Sequence, residues 1–414
     1  MRYRLLFIGF LLMIASVCAN AQIKDSVSVK TEKMPSKGLL FFYRSSERID
    51  RFLLSGLDTN FISLPEHSWR LALTVSTLGI NSTVTSYASS DLNVSLLNRT
   101  TPSFDLGFYA GYRGFGFGYS WDVLHAYARR LNFSLGSKSI GLDFSLQTST
   151  NINTTLAINK IVAENMGQGF LSIRNAKLHL WYALNAAHYS HQAAVKQSYI
   201  QKKTAGSLLL HLSYMSSQIA LTDTLPVGAQ EQPAISMMMS NMTSMTTRQI
   251  AVGIGYGINY TPNQGKVILH LSAAAMLVAY SVNQISYFIP DSIAGELPGE
   301  PMFELHPAFP VHVTGNVRAA VSWEINRWVH LNAYATGEHI RFRSAPTEHT
   351  NSLSISNWDW RVQVAVGVRV GAGRDRVQRA LDACNAHYDF GEQPEPRKNK
   401  LPKWINEFFY SPRL

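Results

Sequence analysis

Long apolar runs are missing from this 414-residue chain beyond its first residues. No later segment offers about 18 continuous apolar residues, so no helical membrane span is expected. Cysteine is nearly absent, with two in the whole sequence. Cys18 falls within an export leader, which leaves Cys384 alone and excludes an intrachain disulfide. Charged residues are also scarce, 15% against 46% hydrophobic, and mean hydropathy is near zero. Scarce charge without helical spans suits a membrane β-barrel, whose outward apolar rows and inward polar rows average out. The net charge of +10 is dispersed, densest at Arg397-Lys398-Lys400-Lys403. Nucleic-acid binding would want a basic face on a soluble module, so nucleic acid is excluded as a partner. Anionic outer-membrane lipids and lipopolysaccharide suit the excess charge better.

What is present is alternation. From Trp358 to Val370 the chain reads W-D-W-R-V-Q-V-A-V-G-V-R-V. Trp358, Trp360, Val362, Val364, Val366, Val368 and Val370 form one row, and Asp359, Arg361, Gln363, Ala365, Gly367 and Arg369 form the other. Side chains alternate faces along a strand, so one face is apolar and the other polar, small or charged. A membrane-spanning strand of about 9–11 tilted residues fits this better than a long soluble strand.

The start reads as an export signal: Arg2 and Arg4, an apolar run from Leu5 to Val17, then Ala19-Asn20-Ala21. Cleavage after Ala21 is expected. Val17 stands before Cys18 where a lipobox wants a small residue, which argues against lipidation. The expected divisions are a signal peptide over 1–21, a periplasmic lead-in with a short amphipathic helix over 22–67, the barrel over 68–372 and a partly helical periplasmic tail over 373–414.

Within the barrel, alternating runs start at Trp69, Phe104, Phe115, Ile140, Leu178, Leu208, Ile250, Val267, Val311, Trp328 and Trp358, with a weaker run at 91–98. Tight turns fall at Arg113-Gly114, Pro262-Asn263-Gln264-Gly265 and Asn326-Arg327. Barrels of this kind have even strand numbers. The expected fold is therefore all-β, an antiparallel up-and-down transmembrane barrel of about 12 strands, with 10 or 14 as alternatives. Polar inserts at 150–174, 222–247 and 282–310 read as extracellular loops and the short turns as periplasmic. Met237, Met238, Met239, Met242 and Met245 in the second insert read as loop packing.

Several stretches resemble the Bacteroidetes outer-membrane family called domain of unknown function 4421: Asp58-Thr59-Asn60-Phe61-Ile62, Trp69-Arg70, and Gly111 through Tyr119 (GYRGFGFGY). So do Tyr189-Ser190-His191-Gln192-Ala193-Ala194 and, most specifically, Gln201-Lys202-Lys203-Thr204-Ala205-Gly206-Ser207. The resemblance covers about 50–372. It implies an outer-membrane barrel and supplies no activity or catalytic residues.

No cofactor pattern is read. Gly114, Gly116 and Gly118 alternate with aromatics inside strands, whereas a phosphate loop must join a strand to a helix. They read as small residues that let strands pack or a plug approach. His188 and His191 lack a third ligand, so no metal site is expected. The inward rows do carry ionisable groups of both signs. Arg70, Asp105, Arg113, Asp143, Lys177, Arg318, Glu324, Asp359 and Arg361 are expected to form a salt-bridge network filling the lumen, with His179, His211 and His270 beside them. The leading reading is a barrel of structural, interaction or narrow-pore role with lipids and other envelope proteins as partners. The alternatives are a small-solute channel and an enzyme modifying lipid or lipopolysaccharide. The enzyme would need a nucleophile and base within hydrogen-bond reach, and no spacing singles out a pair, Ser213 near His211 being one example. The reading leans away from an enzyme.

Overall fold

The structure, a computed structural model, describes residues 37–87, 93–124, 128–150, 152–168, 171–221, 242–287, 302–307, 312–343 and 352–373. The export leader, Cys384, Met237–Met239 and the C-terminal tail lie outside the described residues. In chain order the elements are α1 (Lys37–Leu54), β1 (Ile62–Ser63), β2 (His67–Tyr87), β3 (Asn93–Thr100), β4 (Asp105–Tyr112) and β5 (Phe115–Asp122). Then come β6 (Ala128–Gly136), β7 (Ile140–Ser149), β8 (Ile152–Ile158), β9 (Ile161–Gln168), β10 (Leu171–Ala183), the single turn α2 (Gln192–Val195) and β11 (Ile200–Gln201). The rest are β12 (Ala205–Leu221), β13 (Met242–Tyr260), β14 (Val267–Tyr287), β15 (Met302–Pro307), β16 (Val313–Glu324), β17 (Val329–Arg343) and β18 (Ser352–Gly373).

Twelve of these close into an antiparallel barrel, in the order β2, β4, β5, β6, β7, β10, β12, β13, β14, β16, β17, β18 and back to β2. The seam is continuous, with Trp358 opposite Asn81 and Arg369 opposite Arg70. Closure leaves no free edge around the ring. The expected number of strands is right, but one member differs. The weak run becomes β3, which pairs with the upper half of β2 and with β8, and stands outside the ring. Its place is taken by β6, whose Leu131, Phe133 and Leu135 alternate too briefly after Arg129-Arg130 to declare a strand. The polar inserts are also less loop-like than expected. Residues 152–168 form the β8–β9 hairpin, and β14 runs on to Tyr287, where β15 pairs with it.

The two ends differ. Both barrel termini and the turns at Arg113-Gly114, 261–266 and 325–328 share one end, called here the near end. Arg113 sits at φ 53, which the two-residue hairpin turn requires. The exception at this end is the long β10–β12 connection, residues 184–204. It turns back into the lumen through α2 and β11, and β11 pairs there with β1. Leu53, Ile62, Leu64, Ala193, Ala194 and Tyr199 pack with the inward wall residues Ile268 and Ala320 into one apolar cluster. Two glycines make room for it. A Cβ at Gly136 would collide with the Gln192 side chain, and one at Gly257 with the Tyr189 hydroxyl.

The far end is shut differently. Leu96 of β3 with Ile152 and Leu156 of β8 joins inward residues from across the ring, among them Ile80, Ile173, Ile219, Met245, Phe342 and Ile355. These positions lie on opposite walls, so the cluster spans the mouth. The outer face is the reverse: Leu208, Leu210, Leu212, Ile254, Tyr256, Val362, Val364 and Val366 are exposed, with Trp69, Tyr260 and Trp323 near the strand ends. An exposed apolar wall of this extent needs lipid rather than water.

A matched pair of substitutions tests this assignment. Val364 is 48% exposed on the outer row, and its neighbour Gln363 is 9% exposed on the inner. Val364→Arg should block folding into bilayers, because a mid-membrane charge costs about 2–4 kcal/mol, while Gln363→Arg is far milder. Equal losses of folded yield would show the two faces to be misassigned.

Candidate functional site

Between the two closures lies a polar chamber of about 190 Å³, bounded by the inner faces of the strands and by α2 with Lys196 of the inserted segment. Its ion pairs form two separate clusters. Asp143 on β7 pairs with Lys196 from the insert and with Arg318 on β16, the latter at 3.2 Å. Lys177 on β10 pairs with Glu338 at 2.6 Å and Asp359 at 2.5 Å, both on the opposite wall. Glu338 and Asp359 lie directly opposite each other on β17 and β18, so Lys177 separates two carboxylates that otherwise repel.

The insert is held by polar contacts as well as by packing. Asn259 on β13 donates its amide to the Ser190 carbonyl at 2.7 Å. Gln201 donates to the His188 carbonyl at 2.6 Å, closing the segment on itself. Asn332 donates to the Ala194 carbonyl, and Gln197 to the Ser322 hydroxyl. Outside it, α1 is clamped by Arg113, which bonds Asp50 at 2.6 Å and the Pro65 carbonyl at 2.9 Å.

Four histidines gather where the insert meets the wall. His179 and His211 share a 2.8 Å hydrogen bond, and the His191 ring lies edge-on to His270 at 5.0 Å. Burial first, then His270 and Arg318, hold the His191 imidazole well below its ordinary range, so it is neutral in the folded protein. His270 completes a chain: its Nδ1 meets the Asn259 Oδ1 at 2.8 Å and its Nε2 the Ser272 hydroxyl at 3.1 Å. Because Asn259 spends its amide protons on Ser190 and Gln201, its oxygen accepts from Nδ1–H. The chain therefore has the order of a nucleophile, base and orienting group. All three residues are buried, and Ser272 lies outside the chamber lining. In this closed form the chain anchors the insert. Among the described residues no group of three His, Cys, Asp or Glu is placed to hold a metal.

The nine residues expected to form one network are therefore dispersed. The structure brings together Asp143 with Arg318, and Lys177 with Asp359. Arg113 serves α1, and Glu324 takes Arg369 at 2.8 Å. Asp105 lies opposite Asp122 on the β4–β5 pair. Arg70 stacks on Tyr109 at 4.3 Å. Arg361, expected to have an acidic partner, bonds instead to Gln363 and, at 3.4 Å, Ser76. Ser213 does not bond His211, which takes His179. Alternation alone could have added Glu338 and Arg369. Lys196 and Asp50 carry no periodic signal, and only the tertiary fold brings them to the wall.

The family model described as Domain of unknown function (DUF4421) matches residues 56–369. No curated protein matches the chain. Among solved structures it is similar to the outer membrane protease OmpT from Escherichia coli, at 7% identity over 74% of this chain and 98% of that chain, TM-score 0.38. It is similar also to the outer membrane protein OprG from Pseudomonas aeruginosa, at 8% identity, 75% and 100% coverage and TM-score 0.25. A third is the Pseudomonas putida toluene transporter TodX, at 7%, 73%, 90% and 0.25. TM-scores this low carry no argument about what this chain does.

Two measurements probe the site. Lys177→Met leaves Glu338 and Asp359 uncompensated and should cost about 3–5 kcal/mol, read as a lower melting temperature in detergent. Adding Asp359→Asn should recover part of it, and a double variant no better than the single would dissolve the triad. The second concerns pH. A histidine with a depressed folded value contributes stability that is full above its ordinary value of about 6.5 and is lost as pH falls below it. Heat resistance should therefore decline from pH 7 to 5, and His191→Gln should flatten the decline. An unchanged slope would remove His191 as its source.

Proposed function

We propose, for a chain that belongs to the family described as Domain of unknown function (DUF4421), the role of an outer-membrane β-barrel that is closed at rest. The observation that carries this reading is residues 184–204 folded back into the lumen and tied to the wall by the Lys196–Asp143 ion pair. Placement in the outer membrane rests on the apolar outer face and on the export-type leader over 1–21. The near end, with its short turns and both barrel termini, faces the periplasm, and the far end with its longer connections faces outward. Lipid and lipopolysaccharide contact the outer wall, and other envelope proteins are the natural partners of α1 and the near rim.

A second reading, a gated passage for a small solute, draws on one further observation. The space between the closures is polar and charged, although an apolar filling would be simpler to build. Only the insert and the far-end cluster then separate it from the two aqueous sides.

Planar-bilayer recording tests the closed state. Leu184 still pairs with Leu208 across the β10–β12 ladder, so a short Gly-Ser turn can replace residues 187–204 without breaking the ring. The intact protein should give no steady conductance, and the deletion should give discrete openings. Large steady conductance from the intact protein would replace the closed barrel with an open channel.

A further inference from the structure

We propose that Arg70, with Lys196 beside it, forms a binding site for a small free oxyanion of phosphate size inside the lumen. The chamber lining holds six Arg or Lys side chains against three acids, Asp143, Glu338 and Asp359. All three acids are already engaged, by Lys196, Arg318 and Lys177. Of the remaining cations, Arg361 bonds Ser76 and Gln363, and the Arg130 Nε bonds Asn132 at 2.8 Å. Arg70 differs: its Nε and Nη1 are buried and have no hydrogen-bond acceptor among the described residues.

The surroundings of Arg70 are cationic. Its partner across the β2–β18 seam is Arg369. A second, smaller cavity toward the near end is lined by Arg70, Arg113, Lys196 and Arg369 and by no acid. The other three each have a carboxylate, in Asp50, Asp143 and Glu324. Among the described residues no carboxylate pairs with Arg70. Tyr109 covers one face of the guanidinium at 4.3 Å, which stabilises the cation but leaves the in-plane Nε and Nη1 donors unused. A buried charge without a counter-ion is strongly unfavourable. An oxyanion answers this by supplying a charge-assisted acceptor to these donors.

Arg70 and Lys196 line both cavities, which places the anion where wall and insert meet. The main chamber of about 190 Å³ has room for such an ion with several waters, since a cavity needs about 10–15 Å³ of such space to hold one. A lipid headgroup with its chains does not fit a chamber of about 190 Å³, so the ligand is a free ion. Binding it at the join would also couple occupancy to the seating of the insert through Lys196.

The test is equilibrium binding of inorganic phosphate to the folded, full-length protein in detergent, by calorimetry and thermal melting in a buffer free of other oxyanions. Wild type should bind saturably and melt at a higher temperature with phosphate. Arg70→Gln should lose roughly tenfold or more in affinity. In the absence of phosphate it should melt no lower than wild type, since it removes an uncompensated charge. A merely structural arginine would instead lower the melting temperature. Arg70→Lys, which keeps the charge but loses the guanidinium donors, should bind with intermediate affinity and serves if the Gln variant does not fold. No saturable binding by wild type, or equal binding by the variants, overturns the site. Conductance plays no part in this readout, so a failure here is distinct from a failure of the closed-barrel reading.

Discussion

A barrel of twelve strands encloses more space than its own inward side chains can fill. Eight strands give an interior just wide enough for side chains to pack, and diameter grows with strand number. Closure of the seam between β18 and β2 satisfies every ring strand along its edges, but it creates a lumen that must hold water, ligand or protein. The other features of the molecule answer that requirement at different heights. The far mouth is filled by inward Ile, Leu, Met and Phe side chains meeting β3 and β8. The near end is filled by residues 184–204 and α1. Only the middle is left polar.

That division explains where the charges are placed. A buried ion pair is tolerable when its partners and hydrogen bonds are complete. Lys177 has two carboxylates reaching across the lumen, and Asp143 has one cation from the wall and one from the insert. The second arrangement makes the seating of the insert an electrostatic matter as well as a packing one, because Lys196 leaves with it. The buried polar residues around it, Asn259, Gln201 and Asn332, each satisfy a carbonyl of a segment that has almost no regular structure of its own. The stretch from Tyr189 to Ala194 and the run from Gln201 to Ser207, which carry much of the family resemblance, are thereby accounted for. They form and anchor the insert.

Much of the architecture was legible because a strand in a barrel has lipid on one side and a polar lumen on the other. Trp358 to Val370 shows that constraint residue by residue, and Arg113-Gly114 and Asn326-Arg327 end hairpins where expected. Period-two alternation is a local property, so it reports which face a residue is on and nothing about which residue it will meet. For that reason β3 read as a wall strand, β6 was missed, and the folding back of residues 184–204 left no periodic sign.

The sequence by itself therefore determined that the chain is an antiparallel barrel with apolar outer rows and inner rows of mixed charge, since each follows from neighbours along the strand. Tertiary structure alone decided the partners: Arg113 with Asp50 on a helix before the barrel, Asp143 with Lys196 on the insert, and Arg70 with no acid among the described residues. Those pairings depend on which strands closure places across the lumen and on a segment folding back into it. Both are set by ring geometry and by space left at Gly136 and Gly257, over separations in the chain that no local pattern spans.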